Sequence, residues 1–208
     1  MSRSQDIIES PCSKFLEWSS DNGEFKYWDK QKEETIAVKL PFEFIVLDQL
    51  NTIKGFSESA KSGIWSNEVR DLRTEPLKVR TSKGLIAEGT YEEIKDAVAN
   101  EGGKYCKSVY ILHNDEIWNI QLKGAAFGGW LDFTNKNKNR IYKEGVVCKE
   151  FLPEKKGKVS YTVPVFELVS ISEEQNNLAK DMDVILQDYL KYYLSKSSSQ
   201  ETIMEKDY

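Results

Sequence analysis

The stretch EFKYWDKQKEETIAVKLPFEFIVLDQL, residues 24–50, decides the fold. EFKYWDK (24–30) carries three aromatics, and TIAVKL (35–40) alternates apolar and polar residues after a Lys-Gln-Lys-Glu turn. Pro41 interrupts the pattern, and FEFIVLDQL (42–50) alternates again before turning continuously apolar. Period-two alternation broken by turn residues predicts β-strands. The pattern continues outward through IWSNEVRDL (64–72) and LKVRTSKG (77–84), past the Gly55–Gly63 loop and Pro76. In the other direction, residues 1–23 are polar, end in Ser-Ser-Asp-Asn-Gly, and are expected to form a poorly structured arm.

The period changes after residue 90. Thr90 with Glu93 makes a capping box, Ile94, Ala97 and Val98 form one helical face, and Gly102-Gly103 ends the helix. SVYILH (108–113) and EIWNIQLKG (116–124) flank Asn114-Asp115, a tight hairpin turn. A short helix is expected over 125–135, then strands at 145–152 and 158–169 joined by the basic turn 153–157. Ser172 with Gln175 caps a last helix, whose apolar face runs through Leu178, Met182, Ile185, Leu186, Tyr189 and Tyr193.

These elements predict a mainly β chain with helices (α+β), an OB-fold-like antiparallel barrel with a C-terminal helix and a flexible acidic tail. Its parts are an arm (1–23), an OB-like domain (24–171), an amphipathic helix (172–194) that braces the barrel or mediates self-association, and a tail (195–208).

Composition narrows the chemistry. Across 208 residues there is one histidine, His113, read as a turn-flanking surface residue, and three widely spaced cysteines without a CxxC pair. A cysteine zinc cluster does not fit, Ser-His-Asp or Cys-His chemistry would have to rest on His113 alone, no phosphate-cradling glycine loop is present, and no cofactor or metal is expected. Cysteine usage and the absence of an apolar leader in MSRSQDIIES point to a reducing, cytoplasmic setting. No apolar run reaches the ~20 residues of a membrane helix. The net charge of −5 is uneven: residues 1–23 carry −2, residues 24–166 carry +2 and residues 167–208 carry −5. A mildly basic body with an acidic end fits a polyanion-binding protein.

Aromatics interleaved with cations on β segments carry the functional reading. The residues expected to bind are Tyr27 and Trp28; Lys54 and Phe56; Trp65 with Arg70 and Arg73; Lys78 and Arg80; Tyr105, beside Lys104; and Lys136, Lys138, Arg140, Tyr142 and Lys143 in the densest basic run. Unpaired bases stack on aromatic faces, worth roughly 1–3 kcal/mol each, while Lys and Arg track phosphates. Strands favour aromatics for packing too, so about two-thirds of them are expected in the core. Carboxylates pair at Glu68 and Asp71 and, on the predicted helix, at Glu92 and Glu93; Glu68 and Asp71 with Lys78 are a grouping that a metal-dependent nuclease could use. A protein-interaction module is the other alternative.

SNEVRDLRTEPLKVRTSKG (66–84), preceded by VLDQLNTIKGFSESAKSGIWSNEV (46–69), resembles a family encoded by tailed phages of gut Bacteroides, including crAss-like phages. Cys12-Ser13-Lys14-Phe15, Lys39-Leu40-Pro41-Phe42, Gly103 to Tyr110, Gly124-Ala125-Ala126 before Trp130, and Pro164-Val165-Phe166-Glu167 extend the similarity over about four-fifths of the chain. The resemblance implies a non-enzymatic single-stranded DNA-binding protein with an OB-like core, acting in replication or recombination in the cytoplasm of the infected host. The Ser-rich 195–200 segment and the end at Glu205, Asp207 and Tyr208 are similar to the acidic tips of bacterial and phage single-stranded DNA-binding proteins. That likeness implies docking of phage or host replication proteins. Here Tyr208 stands where those tips carry Phe, and Lys206 interrupts the acidic run.

Overall fold

The structure is a computed structural model that describes residues 8–198. Its strands are β1 (Cys12–Ser19), β2 (Glu24–Asp29), β3 (Glu34–Val38), β4 (Phe42–Ser57), β5 (Ser62–Trp65), β6 (Leu77–Thr81), β7 (Gly84–Gly89), β8 (Gly103–His113), β9 (Glu116–Lys123), β10 (Gly145–Lys156) and β11 (Val159–Val169). Its helices are α1 (Tyr91–Asn100), α2 (Gly124–Asn137) and α3 (Glu173–Ser198). The chain is mainly β, with a C-terminal helix, and the sheet is open, in the order β3-β2-β1-β9-β8-β4-β5-β6-β7. Where an OB-fold-like antiparallel barrel was expected, the strands form an open sheet that is antiparallel except where β1 pairs with β9 in parallel. The β10–β11 ribbon branches from β4 through Gly145–Cys148 and bends back toward the β1–β2 turn. There the Thr162 N–H donates to Ser20 O at 2.9 Å, and the Trp18 indole donates to Thr162 O at 3.1 Å.

Residues 12–19, expected in a loose arm, are thus a central strand. Leu16 and Trp18 are buried, and the pairing partner is about a hundred residues away, beyond the reach of local pattern reading. The Pro153–Gly157 turn is also displaced: β10 runs on to Lys156, and Gly157, at φ +63°, makes a tighter turn. Strand β5 stops at Trp65, short of the expected 72, because Ser66 and Asn67 turn inward. The Ser66 hydroxyl accepts the Ile53 N–H at 2.9 Å, and Asn67 Oδ1 accepts the Lys78 N–H at 2.7 Å. The Asn114-Asp115 turn forms as read, with φ of 48° and 62°. Both capping boxes form: the Thr90 N–H donates to Glu93 Oε2 at 2.8 Å, and Ser172 and Gln175 bond reciprocally at 2.9 and 3.1 Å. Helix α3 continues to Ser198, past the expected end at 194.

The continuous apolar run of β4 reflects burial on both faces. Phe44 and Val46 join the core with Leu16, Phe25, Trp118 and Trp130, which α2 covers. Ile45 and Leu47 join Tyr110, Leu112 and Ile117 beneath α3, whose Leu186 and Leu190 are fully buried, worth roughly 1.5–3 kcal/mol each. A third cluster, Ile53, Ile64, Leu77 and Val79, packs on Ile94 and Val98 of α1. Side chains alternate along a strand. Helices α1 and α2 therefore share one face of the sheet. Helix α3 lies on the other, over the Tyr110–Leu112 end of β8. The Lys104 end of that second face is uncovered by any of the three clusters.

Candidate nucleic-acid interface

Residues opposed across a ladder point to the same side of a sheet. Lys54 pairs with Lys104 on β8 and with Trp65 on β5, and Trp65 pairs with Arg80 on β6. Arg80 in turn faces Leu85 on β7, which is exposed. Lys104, Lys54, Trp65 and Arg80 thus form one transverse row, about 14 Å long at the usual strand spacing. The row lies on the α3 face of the sheet, beyond the Tyr110–Leu112 end that packs on α3; Lys104 is exposed, and Lys54, Trp65 and Arg80 are half-buried. Lys78 and Phe56 stand one alternation to either side, and Phe56 is 51% exposed. Buried Cys106 sits next to the row, with its thiol pushed up to about 12 by burial, a shift opposed by the nearby charges of Lys54 and Lys123.

The row differs from the other cationic positions in what its charges touch. Arg70 binds Asp48 at 2.9 Å, Arg73 binds Asp71 at 3.0 Å, Lys78 binds Glu88 at 3.2 Å and Arg140 binds Glu144 at 2.7 Å. Among the described residues, Lys54, Arg80 and Lys104 make no ion pair. Their charges are free to meet an anion without first breaking a contact. Lys104 is the member of the row that sequence reading passed over in favour of its neighbour Tyr105. Only the register tells which of two adjacent residues faces the open side.

Tyr105 turns to the helical face. Its hydroxyl donates to Asn51 Oδ1 at 2.8 Å, and its ring packs edge-on against Tyr91 and Phe127. Burial pushes its hydroxyl well above the usual tyrosine range. Lys107 follows it on that face and donates to the same Asn51 oxygen at 3.0 Å. Tyr27 also lies on the helical face, against Trp118 and beneath the Lys14 ammonium. Trp28 is 57% exposed and shares the open face, but four strand spacings from Lys54. Arg70 fastens Asp48 and Gln187 together and so ties β4 to α3. Lys136, Lys138, Arg140 and Lys143 are exposed at the end of α2 and in the turn that follows, away from the row. Tyr142, 49% exposed, accepts a hydrogen bond from Gln49 Nε2 at 2.8 Å. Of the fifteen nucleic-acid residues expected, five gather: Lys54, Phe56, Trp65, Lys78 and Arg80. Glu205, Asp207 and Tyr208 lie outside the described residues.

The three groups of the nuclease alternative are each engaged elsewhere. Glu68 accepts from the Tyr110 hydroxyl, Asp71 holds Arg73 and Lys78 holds Glu88. Among the described residues, no group of three or more His, Cys, Asp and Glu side chains is arranged to hold a metal ion. His113 is half-buried, packs edge-on against Trp118, and its Nδ1 lies 2.7 Å from Glu43 O. No described helix is long and apolar enough to cross a membrane. No family model, curated protein or solved structure matches the chain.

Proposed function

We propose that this protein binds single-stranded DNA across the open end of its sheet, as a non-enzymatic coat in phage replication or recombination. The observation that carries the reading is the row Lys104–Lys54–Trp65–Arg80, with three cations unpaired among the described residues and Phe56 exposed beside it. Cations spaced across three strand intervals follow a phosphate backbone, and the two rings offer faces to unpaired bases. The ribbon that arches back from β4 to the β1–β2 turn supports an OB-like description of the core. On this reading the acidic end at Glu205, Asp207 and Tyr208 docks replication partners.

Fluorescence anisotropy of a labelled oligothymidylate, titrated across a salt series, tests the proposal. Micromolar or tighter binding that weakens with salt supports it, and equal affinity for a duplex of the same length contradicts it. A second reading, a protein-interaction module, is favoured by Val184 and Ile185 on α3, which are 62% and 51% exposed. Self-association in sedimentation with no binding of DNA favours that reading.

A further inference from the structure

Gly63 is directly opposite Phe56 on the β4–β5 ladder, two residues from Trp65. Glycine weakens a strand interior, so it calls for a reason. The backbone supplies none, because Gly63 is absent from the positive-φ positions that favour glycine. Packing supplies none either: a Cβ at Gly63 would meet nothing within 4 Å. The same fact excludes a ring folded over the glycine to shield it, since the Phe56 side chain does not approach that space. The neighbouring Gly55 and Gly103 differ. A Cβ at Gly55 would lie 2.4 Å from Gly102 O in the α1–β8 turn, and one at Gly103 2.5 Å from Val98 of α1, so close packing explains both.

We infer that Gly63 is the floor of a slot for one unstacked nucleobase, held between the rings of Phe56 and Trp65. The inference rests on the DNA-binding reading and assigns a base position within it. Phe56 and Trp65 are diagonal neighbours across an antiparallel pair, a relation that separates their Cα atoms by about 7–8 Å. A flat base in contact with a ring on each side needs about 3.5 Å for each contact, about 7 Å in all. Any side chain at position 63 would rise into that gap. Lys54, opposite Trp65, and Arg80, on its other side, flank the slot with the charge that the adjoining phosphates require.

The test uses the full chain and an oligothymidylate carrying one 2-aminopurine. Gly63→Val fills the slot with a residue that strands favour, so the thermal midpoint is expected to hold or rise. Affinity is expected to fall about tenfold, the loss of one stacked base, with the slope of log K against log salt unchanged. Quenching of 2-aminopurine on binding is expected for the wild type and absent in the variant. Gly63→Ala, a smaller filling, gives an intermediate loss and serves should the valine variant melt early. Affinity within about twofold of wild type for both variants, with Lys54→Ala still weakening binding, overturns the slot and leaves the DNA-binding reading standing. No binding by the wild type overturns both.

Discussion

Lys54 and Trp65 are direct partners across β4 and β5, and neither reaches its position by local sequence. Lys54 is placed by the long pairing of β4 with β8, and Trp65 by a four-residue strand that ends at it. Their pairing places a lysine and a tryptophan side by side on the same face of the sheet. Substitutions separate the residues of this surface from those that hold the fold.

Lys54→Ala, Arg80→Ala and Lys104→Ala are each expected to weaken oligothymidylate binding and to lower the salt slope by about 0.7, the value per phosphate contact on a single strand. Urea midpoints should stay close to wild type, since these side chains make no ion pair among the described residues. A falling midpoint with an unchanged slope would make them structural instead.

Lys136, Lys138 and Lys143 give the contrasting case. They sit at the end of α2 and in the turn beyond it, away from the row. Replacing all three by alanine is expected to change affinity less than Lys54→Ala does alone, by anisotropy at a single salt concentration. A larger effect would move the DNA path to the helical side of the molecule.

Arg70 belongs to the fold. Its guanidinium grips Asp48 through bonds of 3.2 and 2.9 Å, and Gln187 of α3 donates to the same carboxylate at 2.9 Å. Burial pushes the Asp48 carboxyl up, but the bonds from Arg70, Gln187 and the Gln49 N–H outweigh it and hold the carboxyl below its ordinary 3.8. The folded value is the lower one, so the stabilisation is complete above about pH 4 and is lost as pH falls through the folded value. Urea unfolding between pH 7 and pH 2.5 should show this acid-side loss, and Asp48→Asn should flatten it. Arg70→Ala is expected to cost about 1–3 kcal/mol at pH 7, by leaving a mostly buried acceptor short of its donor.

Leu186→Ala tests whether α3 is integral to the body. The side chain is fully buried against the Tyr110–Leu112 end of the sheet, and truncation is expected to cost about 2–5 kcal/mol in urea unfolding. A cost below 1 kcal/mol would make α3 an appendage.

Much of the fold is legible locally. The capping boxes at Thr90 and Ser172, the Asn114-Asp115 turn and the period-two runs each signal their element within a few residues. What is not legible is non-local. The strand at Cys12–Ser19 is specified by its parallel partner β9, and nothing near it in sequence marks it as central. The same limit governs the surface. Lys104 and Tyr105 are adjacent, and alternation guarantees that they face opposite sides, but only the β4–β8 register decides which side is open. That register is offset by an irregularity between Val46 and Asp48 in β4, and the separate β6–β7 register by one between Val79 and Arg80. Composition can flag a mixture of rings and cations; it cannot sort the mixture onto faces.

DNA binding along the row is tested most directly by comparing wild type with the Lys54→Ala/Arg80→Ala double variant, titrated with labelled oligothymidylate from low to high salt. Strong, salt-sensitive binding is expected of the wild type, and for the double variant a loss of affinity with a slope shallower by about 1.4. Identical slopes for the two proteins would contradict it.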